Sequence, residues 1–551
     1  MDWFTKISKA KNESVPDLKQ RAKDAINRLE KTFLTQPMMP CILYSFGKDS
    51  SVTMSLSLVA WVRATKVNPL LAKIPFLIVY SNTRHESPHK QDYMLKEVGD
   101  IERYANVHGI NLVMLESKPR INESWAGKII AGSIVNWTRI LGKSAGCSVD
   151  WKIKPNERIV KPYEKMAQEM GIQLVKFLGS RAEESPTRAQ NLARYGANSF
   201  TICPFNGSNY LYPVMDWSVE DIWSYLLFCE DDIDSNVPGI KDGFDRTAAY
   251  YNSMSATECS ATDINNGSSC KGARDGCYIC FMSDSPTLDE SIGKNFPHIS
   301  PLQEYRKFML YNDANALNRS YVQQAPGSLN DVKAACNSGS YLLDLVRIGL
   351  TIQKREEERA EQERELVENG LHLDPENALT ESTFTIFEPI DIAWIDWNWM
   401  SRGLQVEPHA ALKAYYDVYI RDIRYDIPAG YKRHSVEYTD LTTHNGKIFY
   451  PELDINGEDS ADYDLNDISS DTTWQFASNE ECSLVFTQEV LESWLREQSF
   501  TRAGDRWIES GMLKPPKAQL GRIKKRREWV KNIYQLGLNQ KAFDGGPLTG
   551  I

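Results

Sequence analysis

Short apolar runs alternate with stretches of helical period through the first part of the chain. Cys41-Ile42-Leu43-Tyr44, Pro75 to Ser81, Asn111 to Glu116 and Gln173 to Gly179 are apolar runs of strand length. Between them, Met94, Val98, Ile101 and Ala105 recur at helical spacing, and Ile159 to Met170 has the same character. Asp17 to Leu34 predicts an amphipathic helix leading into the first strand. Strands alternating with helices predict an α/β fold with a doubly wound, mostly parallel sheet. Ligands on such sheets sit beyond the carboxyl ends of the strands.

Further along, Ser218 precedes an acid at Asp221 and an apolar stretch, which predicts a capped helix start. Lys354 to Glu365 is almost wholly charged, the pattern of a solvated helix or connector, and suggests a boundary. Beyond it, Glu388 to Ile427 is rich in Trp and Tyr and predicts helices, whereas Glu452 to Asp471 is acidic and predicts a loop. The expected organisation is a nucleotide domain over 1–240, a cysteine-rich segment over 241–350 and a mainly helical C-terminal region over 351–551, suited to a partner or DNA.

Composition narrows the classes. A chain of 551 residues exceeds one core, and 42% hydrophobic with 25% charged residues is ordinary for a globular protein. No stretch approaches a membrane span and the N-terminus has no apolar signal, so no membrane partner and a cytoplasmic location are expected. The net charge of -11 argues against coating nucleic acid through the whole surface, though not against a local basic site. Arg522 to Lys531 is such a candidate, a basic run with an interleaved Trp529, and it reads equally as a solvated helix face.

The run at Cys41 is followed by Ser45-Phe46-Gly47-Lys48-Asp49-Ser50-Ser51 and then by Val52 to Val59, a small hydroxyl-rich turn between strand and helix. Such a turn aims backbone N–H groups and the positive end of the helix dipole at one point, which suits a polyphosphate. The spacing excludes a Walker loop. It resembles the PP-loop of the ATP pyrophosphatases, S-[GF]-G-x-D-S, whose members split ATP between the α and β phosphorus atoms. Phe46 stands where many members have glycine. Ser81, after the second apolar run, could line the same nucleotide site, while His85 and His89 read as a helix start or surface rather than metal ligands.

Cys259, Cys270, Cys277 and Cys280 crowd one segment and offer four thiolates, enough for tetrahedral zinc or a [4Fe-4S] cluster, and spacing leaves the two open. Cys147 lies near Lys152 and Lys154, which could favour its thiolate; a half-buried structural cysteine is the alternative. Arg181 and Arg188 could clamp phosphate oxygens or pair with Glu183 and Glu184. Together, Glu258-Cys259, Ser269 to Cys280, Cys147 to Pro155 and Gly179-Ser180-Arg181-Ala182-Glu183-Glu184-Ser185 resemble the DndC-type proteins of DNA phosphorothioation, and equally the SspD-type. These are PP-loop relatives of phosphoadenylylsulfate reductase. The resemblance covers about Met39 to Ser285.

The resemblance implies an adenine nucleotide α-hydrolase-like fold and an ATP pyrophosphatase acting as a DNA sulfurtransferase. It implies ATP with Mg²⁺ at Ser45, Phe46, Gly47, Lys48, Asp49, Ser50, Ser51 and Ser81, a [4Fe-4S] cluster on Cys259, Cys270, Cys277 and Cys280, and Lys48, Asp49, Cys147 and Arg181 as catalytic residues. It also implies a cysteine desulfurase as sulfur donor, DNA, and other phosphorothioation proteins as partners, within restriction-modification. The alternatives are a thiol-dependent reductase of phosphoadenylylsulfate, for which the tail Gln535 to Ile551 lacks a cysteine, and a non-catalytic zinc-binding assembly factor.

Overall fold

The computed structural model describes residues 3–136, 146–184, 186–199, 201–253, 277–280, 293–312, 315–320, 330–331, 336–431, 447–448, 468–469 and 471–545. The chain divides into two compact units. The first comprises Met1–Lys118, Ser148–Cys277 and Ser283–Pro297, and the second Pro119–Cys147, Tyr278–Met282 and His298–Ile551.

In the first unit β1 (Met38–Tyr44), β2 (Phe76–Ser81), β3 (Leu112–Ser117), β4 (Gln173–Phe177), β5 (Cys203–Phe205) and β6 (Ser208–Leu211) form one sheet in the order β3-β2-β1-β4-β6-β5. Neighbours run parallel except β5, which is antiparallel to β6. Asn206 and Gly207, both at positive φ, make the two-residue turn joining them, as the Asn-Gly dipeptide allows. The strand pattern is therefore the predicted α/β one, with this hairpin added. β1 is buried along almost its whole length, which is why it reads as a continuous apolar run rather than an alternating one.

Helices α1 (Trp3–Thr35) and α2 (Lys48–Val67) pack on each other and on the sheet. The predicted helix at Asp17 to Leu34 is the latter part of α1. Phe33 of α1 meets Trp61 of α2 edge to face at 5.0 Å and Phe177 of β4 at 5.9 Å, and Trp61 meets Phe76 of β2 at 5.5 Å. α3 (Pro88–His108) carries the expected Met94, Ile101 and Ala105 inward. α4 (Lys154–Glu169) packs on β2, β3 and β4. α5 (Val219–Phe228) starts as predicted: Asp221 N donates to Ser218 Oγ at 3.0 Å and Ser218 N donates back to Asp221 Oδ2 at 2.8 Å. α6 (Asp245–Ser253) follows.

The second unit is mainly helical, with α7 (Ser300–Asn312), α8 (Gly339–Glu368), α9 (Pro389–Arg402), α10 (Ala410–Tyr419), α11 (Phe500–Glu509) and α12 (Leu520–Gln535) among its elements. The charged run Lys354 to Glu365 is no connector: it continues the helix whose first half, Tyr341 to Ile352, is largely buried. Even here Glu356 is buried, accepting from Arg359 Nε at 2.8 Å and Thr383 N at 2.9 Å. Trp394 and Trp399 of α9 donate their indole N–H groups to Gly127 O at 3.1 Å and Ile130 O at 2.7 Å. A Cβ on Gly127 would lie 1.8 Å from Ile121 O, so only glycine permits that close turn. The basic run lies on α12, where Ile523, Val530 and Ile533 are buried and Arg527 pairs with Asp505. Burial, with Arg402 and Arg522 adding to it, pushes Arg526 down to about 9, so this is not a simply solvated face. Most of the acidic stretch Glu452 to Asp471 lies outside the described residues. No described helix is long and apolar enough to cross a membrane.

Candidate nucleotide-binding site

Strand order fixes the site. β2 and β3 lie to one side of β1 and β4 to the other, so the connections out of β1 and β4 diverge at the point where a doubly wound sheet binds its ligand. The register pairs Ile42 with Phe177, which brings the segments after both strands side by side. A Cβ on Gly179 would lie 2.7 Å from the Asp49 carbonyl and the Ser50 amide nitrogen. Glycine there is thus the condition for the two segments to meet.

The serines tie the loop into a fixed turn. Ser45 N and Ser45 Oγ lie 3.3 and 3.0 Å from Ser50 Oγ, which donates to Gly47 O at 2.9 Å. Ser51 Oγ and Tyr44 OH are bonded at 3.1 Å in the core. Phe46 adopts φ 57, a left-handed conformation that is costly for a bulky residue and natural for glycine. Its ring holds it there. It is buried against Tyr44 at 4.2 Å and Tyr80 at 5.3 Å, while its carbonyl accepts from Tyr93 OH at 3.1 Å. Gly47 is the N-cap of α2 and offers no capping side chain of its own; Lys48 N donates to Tyr251 OH at 3.2 Å, and the first helical amides are aimed where a phosphate would sit.

The charges are organised by Asp49. Its Oδ2 accepts from Lys48 Nζ at 2.8 Å and its Oδ1 from Arg181 Nε. Arg181 is 3% exposed and spends Nη1 on Trp217 O at 3.2 Å, with Glu183 at 3.5 Å. Here it braces the loop through Asp49 rather than forking toward solvent. Arg188 pairs with Glu184. Lys48 keeps part of its side chain exposed, unlike Arg181.

The remaining candidates are placed less directly. Ser81 donates to Asn156 Oδ1 at 3.1 Å, an acceptor it shares with Ser117, so it ties β2 and β3 to α4. Cys147 is half-buried and falls at the edge of the second unit, and Lys154 pairs with Asp150 at 2.7 Å. His89 does stand at the start of α3, but it is buried, stacked on Phe296 at 4.8 Å and bonded to Ser87 Oγ at 2.8 Å. Burial, with Arg84 adding to it, pushes His85 down to about 3, which keeps it neutral.

Cys259 and Cys270 lie outside the described residues. Cys277 and Cys280 are half-buried, and Cys277 Sγ is 3.1 Å from Thr83 Oγ1 while residue 277 bridges to Glu86. A hydroxyl beside a sulfur suits a thiolate ligand, so this donor fits a metal centre. Among the described residues no group of three or more potential ligands assembles. Tyr251, Tyr93 and Asn156, which also shape the site, carry no motif in the sequence.

Residues 39–234 match the model of the phosphoadenosine phosphosulfate reductase domain. No curated protein matches the chain. Solved structures with some likeness include the FMN adenylyltransferase of Candida glabrata in complex with FAD and inorganic pyrophosphate, at 14% identity, 38% of this chain, 57% of that one and TM-score 0.22. Another is the U34-tRNA thiolase NcsA from Methanococcus maripaludis with its [4Fe-4S] cluster, at 12% identity, 53% of this chain, 80% of that one and TM-score 0.18. The chain thus spans just over half the length of the adenylyltransferase.

Proposed function

We propose that the chain is an ATP pyrophosphatase that adenylylates a DNA backbone phosphate for sulfur insertion. The observation that carries this reading is the N-terminus of α2, its turn fixed by Ser45 and Ser50 at the β1/β4 switch point. The loop amides would grip the β and γ phosphates, and Lys48 would swing from Asp49 to the charge developing on the leaving pyrophosphate. Asp49, held by Arg181, would fix where Lys48 starts. A non-bridging DNA phosphate oxygen attacks the α phosphorus, the bond to the β phosphate breaks, and pyrophosphate leaves. The outer sulfur of a persulfide, supplied by a cysteine desulfurase partner and carried on Cys147 as the proposed relay, then attacks that phosphorus and AMP leaves; a second thiol cleaves the remaining sulfur–sulfur bond, giving the phosphorothioate and a disulfide. Mg²⁺ would share the phosphate charge, and Cys259, Cys270, Cys277 and Cys280 would hold a [4Fe-4S] cluster.

The test supplies ATP, a desulfurase and DNA to the purified chain, then measures pyrophosphate and looks for sulfur in digested dinucleotides by mass spectrometry. Pyrophosphate release that survives Asp49→Ala with Ser50→Ala rules out this site. The domain match at residues 39–234 favours one second reading, a thiol-dependent reductase of phosphoadenylylsulfate using the same loop. Reduction of phosphoadenylylsulfate without ATP cleavage decides for it.

A further inference from the structure

α12 carries the basic run, and its cations gather on one side. Arg522, Lys525, Arg526 and Trp529 stand at i, i+3, i+4 and i+7, so they share a face beside the buried stripe of Ile523, Val530 and Ile533. Arg522 and Lys525 are exposed, whereas Arg526 and Trp529 are half-buried. α9 brings a third arginine to that face. Its last residue, Arg402, is followed by Gly403 at φ 62, where a Cβ would lie 2.6 Å from Ile533 Cγ2, so the helix end rests directly on α12. Arg526 lines a cleft with Met400 and Ser401 of α9 and with Phe500 and Thr501 of α11.

The acids nearby are directed elsewhere. Asp505, in the wall of the same cleft, pairs with Arg527. Glu528, the one acid of α12, stands two positions from Arg526 and six from Arg522, spacings that turn it to another face. Among the described residues, no hydrogen bond or ion pair reaches Arg526, and its Nε is shielded from solvent without an acceptor. Arg402 donates from Nη2 to Ser133 Oγ at 3.0 Å and from Nε to Asn398 Oδ1 at 3.4 Å, two neutral partners that fix its orientation. Burial, then repulsion from Arg402 and Arg522, pushes Arg526 down to about 9; burial likewise pushes Arg402 down to about 10, with Arg522 adding to it. Desolvated like charges of this kind are relieved by an anion. Arg522 also stands in the first turn of α12, where the helix dipole disfavours a cation and favours a negative group.

We propose that Arg402, Arg522 and Arg526 bind a backbone phosphate of a nucleic-acid strand, whose path is continued along α12 by Lys525 and Trp529. The planar guanidinium fork matches phosphate oxygens, and a basic face with an interleaved aromatic ring suits a strand. From Arg522 to Trp529 the helix rises about 10 Å. That is the length of roughly three nucleotides at ~3.4 Å each, more than one free anion would use. The charge is local, which lets a chain of net charge -11 hold a polyanion. The inference goes beyond the nucleotide site and holds whether or not that site cleaves ATP.

The experiment titrates the full chain, without nucleotide, into a short fluorescein-labelled DNA strand and follows anisotropy from about 50 to 200 mM salt. Arg526→Met and Arg522→Gln are each expected to weaken binding about tenfold and to lower the slope of log affinity against log salt by about one. Arg526→Met should keep or raise the melting temperature, because it removes a repelled charge and retains the apolar stem. Arg522→Gln, on the exposed side, carries the test alone if Arg526→Met fails to fold. Weaker binding with a lower melting temperature and an unchanged salt slope marks a merely structural arginine and overturns the proposal. Displacement of the strand by polyglutamate as readily as by unlabelled strand overturns it in favour of an acidic protein partner, and binding of inorganic phosphate with none of the strand overturns it in favour of a free anion. No binding of the strand, or affinity and slope unchanged in both variants, overturns it outright and leaves the reading of the phosphate loop intact.

Discussion

Two carboxylates organise two regions of this molecule, and only one region is open. Asp49 and Lys48 keep 14% and 21% of their side chains in solvent, and Asp49 gathers Lys48 and Arg181 at the mouth of a helix N-terminus. Asp396, in the second unit, is sealed at 0%. It accepts from His409 Nδ1 at 2.8 Å, Trp507 Nε1 at 2.9 Å and the amides of Ala411 and Leu412 at 3.0 and 3.3 Å. Both acids are well satisfied. The difference is access: one arrangement leaves a partly exposed cation beside converging amides, the other leaves nothing for a ligand to approach. A buried hydrogen-bonded acid serves architecture, while a half-open one can serve chemistry.

The largest effect separates the two. Asp396→Ala leaves a buried imidazole, an indole and two amides without their acceptor, and is expected to cost about 3–5 kcal/mol in chemical denaturation. A loss below about 1 kcal/mol would make the sealed site no more structural than the open one. Asp49→Asn should fold almost normally but lower pyrophosphate release from ATP about a hundredfold, since Lys48 and Arg181 lose the charge that orients them. If it instead unfolds the protein and spares turnover, the contrast is reversed.

Phe46→Gly sharpens the account of the open site. Relief of the left-handed backbone strain is worth about 1 kcal/mol, whereas losing a buried phenyl ring costs about 3–5, so a net destabilisation of about 2–4 kcal/mol is expected in denaturant melts. Gly179→Ala drives a methyl group into the Asp49 carbonyl and the Ser50 amide, and should weaken nucleotide binding about tenfold by calorimetry.

His85 supplies the most gradual signal. Its folded-state value of about 3 lies below the ordinary 6.5, so the unfolded chain binds a proton that the folded one refuses. Stability is therefore full above about pH 6.5 and falls as pH drops toward 3, by up to about 1.4 kcal/mol per pH unit. Melts from pH 7 to 4 should show this slope, and His85→Asn should flatten it.

The strands, the loop and the capped start at Ser218 were legible because each depends on local pattern: continuous apolar runs for a parallel sheet, hydroxyls and glycine at a strand-to-helix turn, a serine with an acid three residues on. The β5/β6 hairpin also carried its signal, in Asn206-Gly207, but its strands are short. The charge of Lys354 to Glu365 suggested a break because composition reports solvation and not continuity, and α8 runs through it.

What the sequence determined by itself is that a phosphate-suited turn follows a buried strand, since those residues are contiguous and their propensities act over a few positions. It also determined that Phe46 occupies a place where glycine is common. Only the tertiary structure decided what Arg181 does, that Ser81 serves Asn156, and that Tyr251 stands on the Lys48 amide. Those facts depend on which strands pair and which helix folds back over the loop, and the partners lie far apart in the chain. No local preference encodes such a meeting; it follows from burying both faces of one sheet at once.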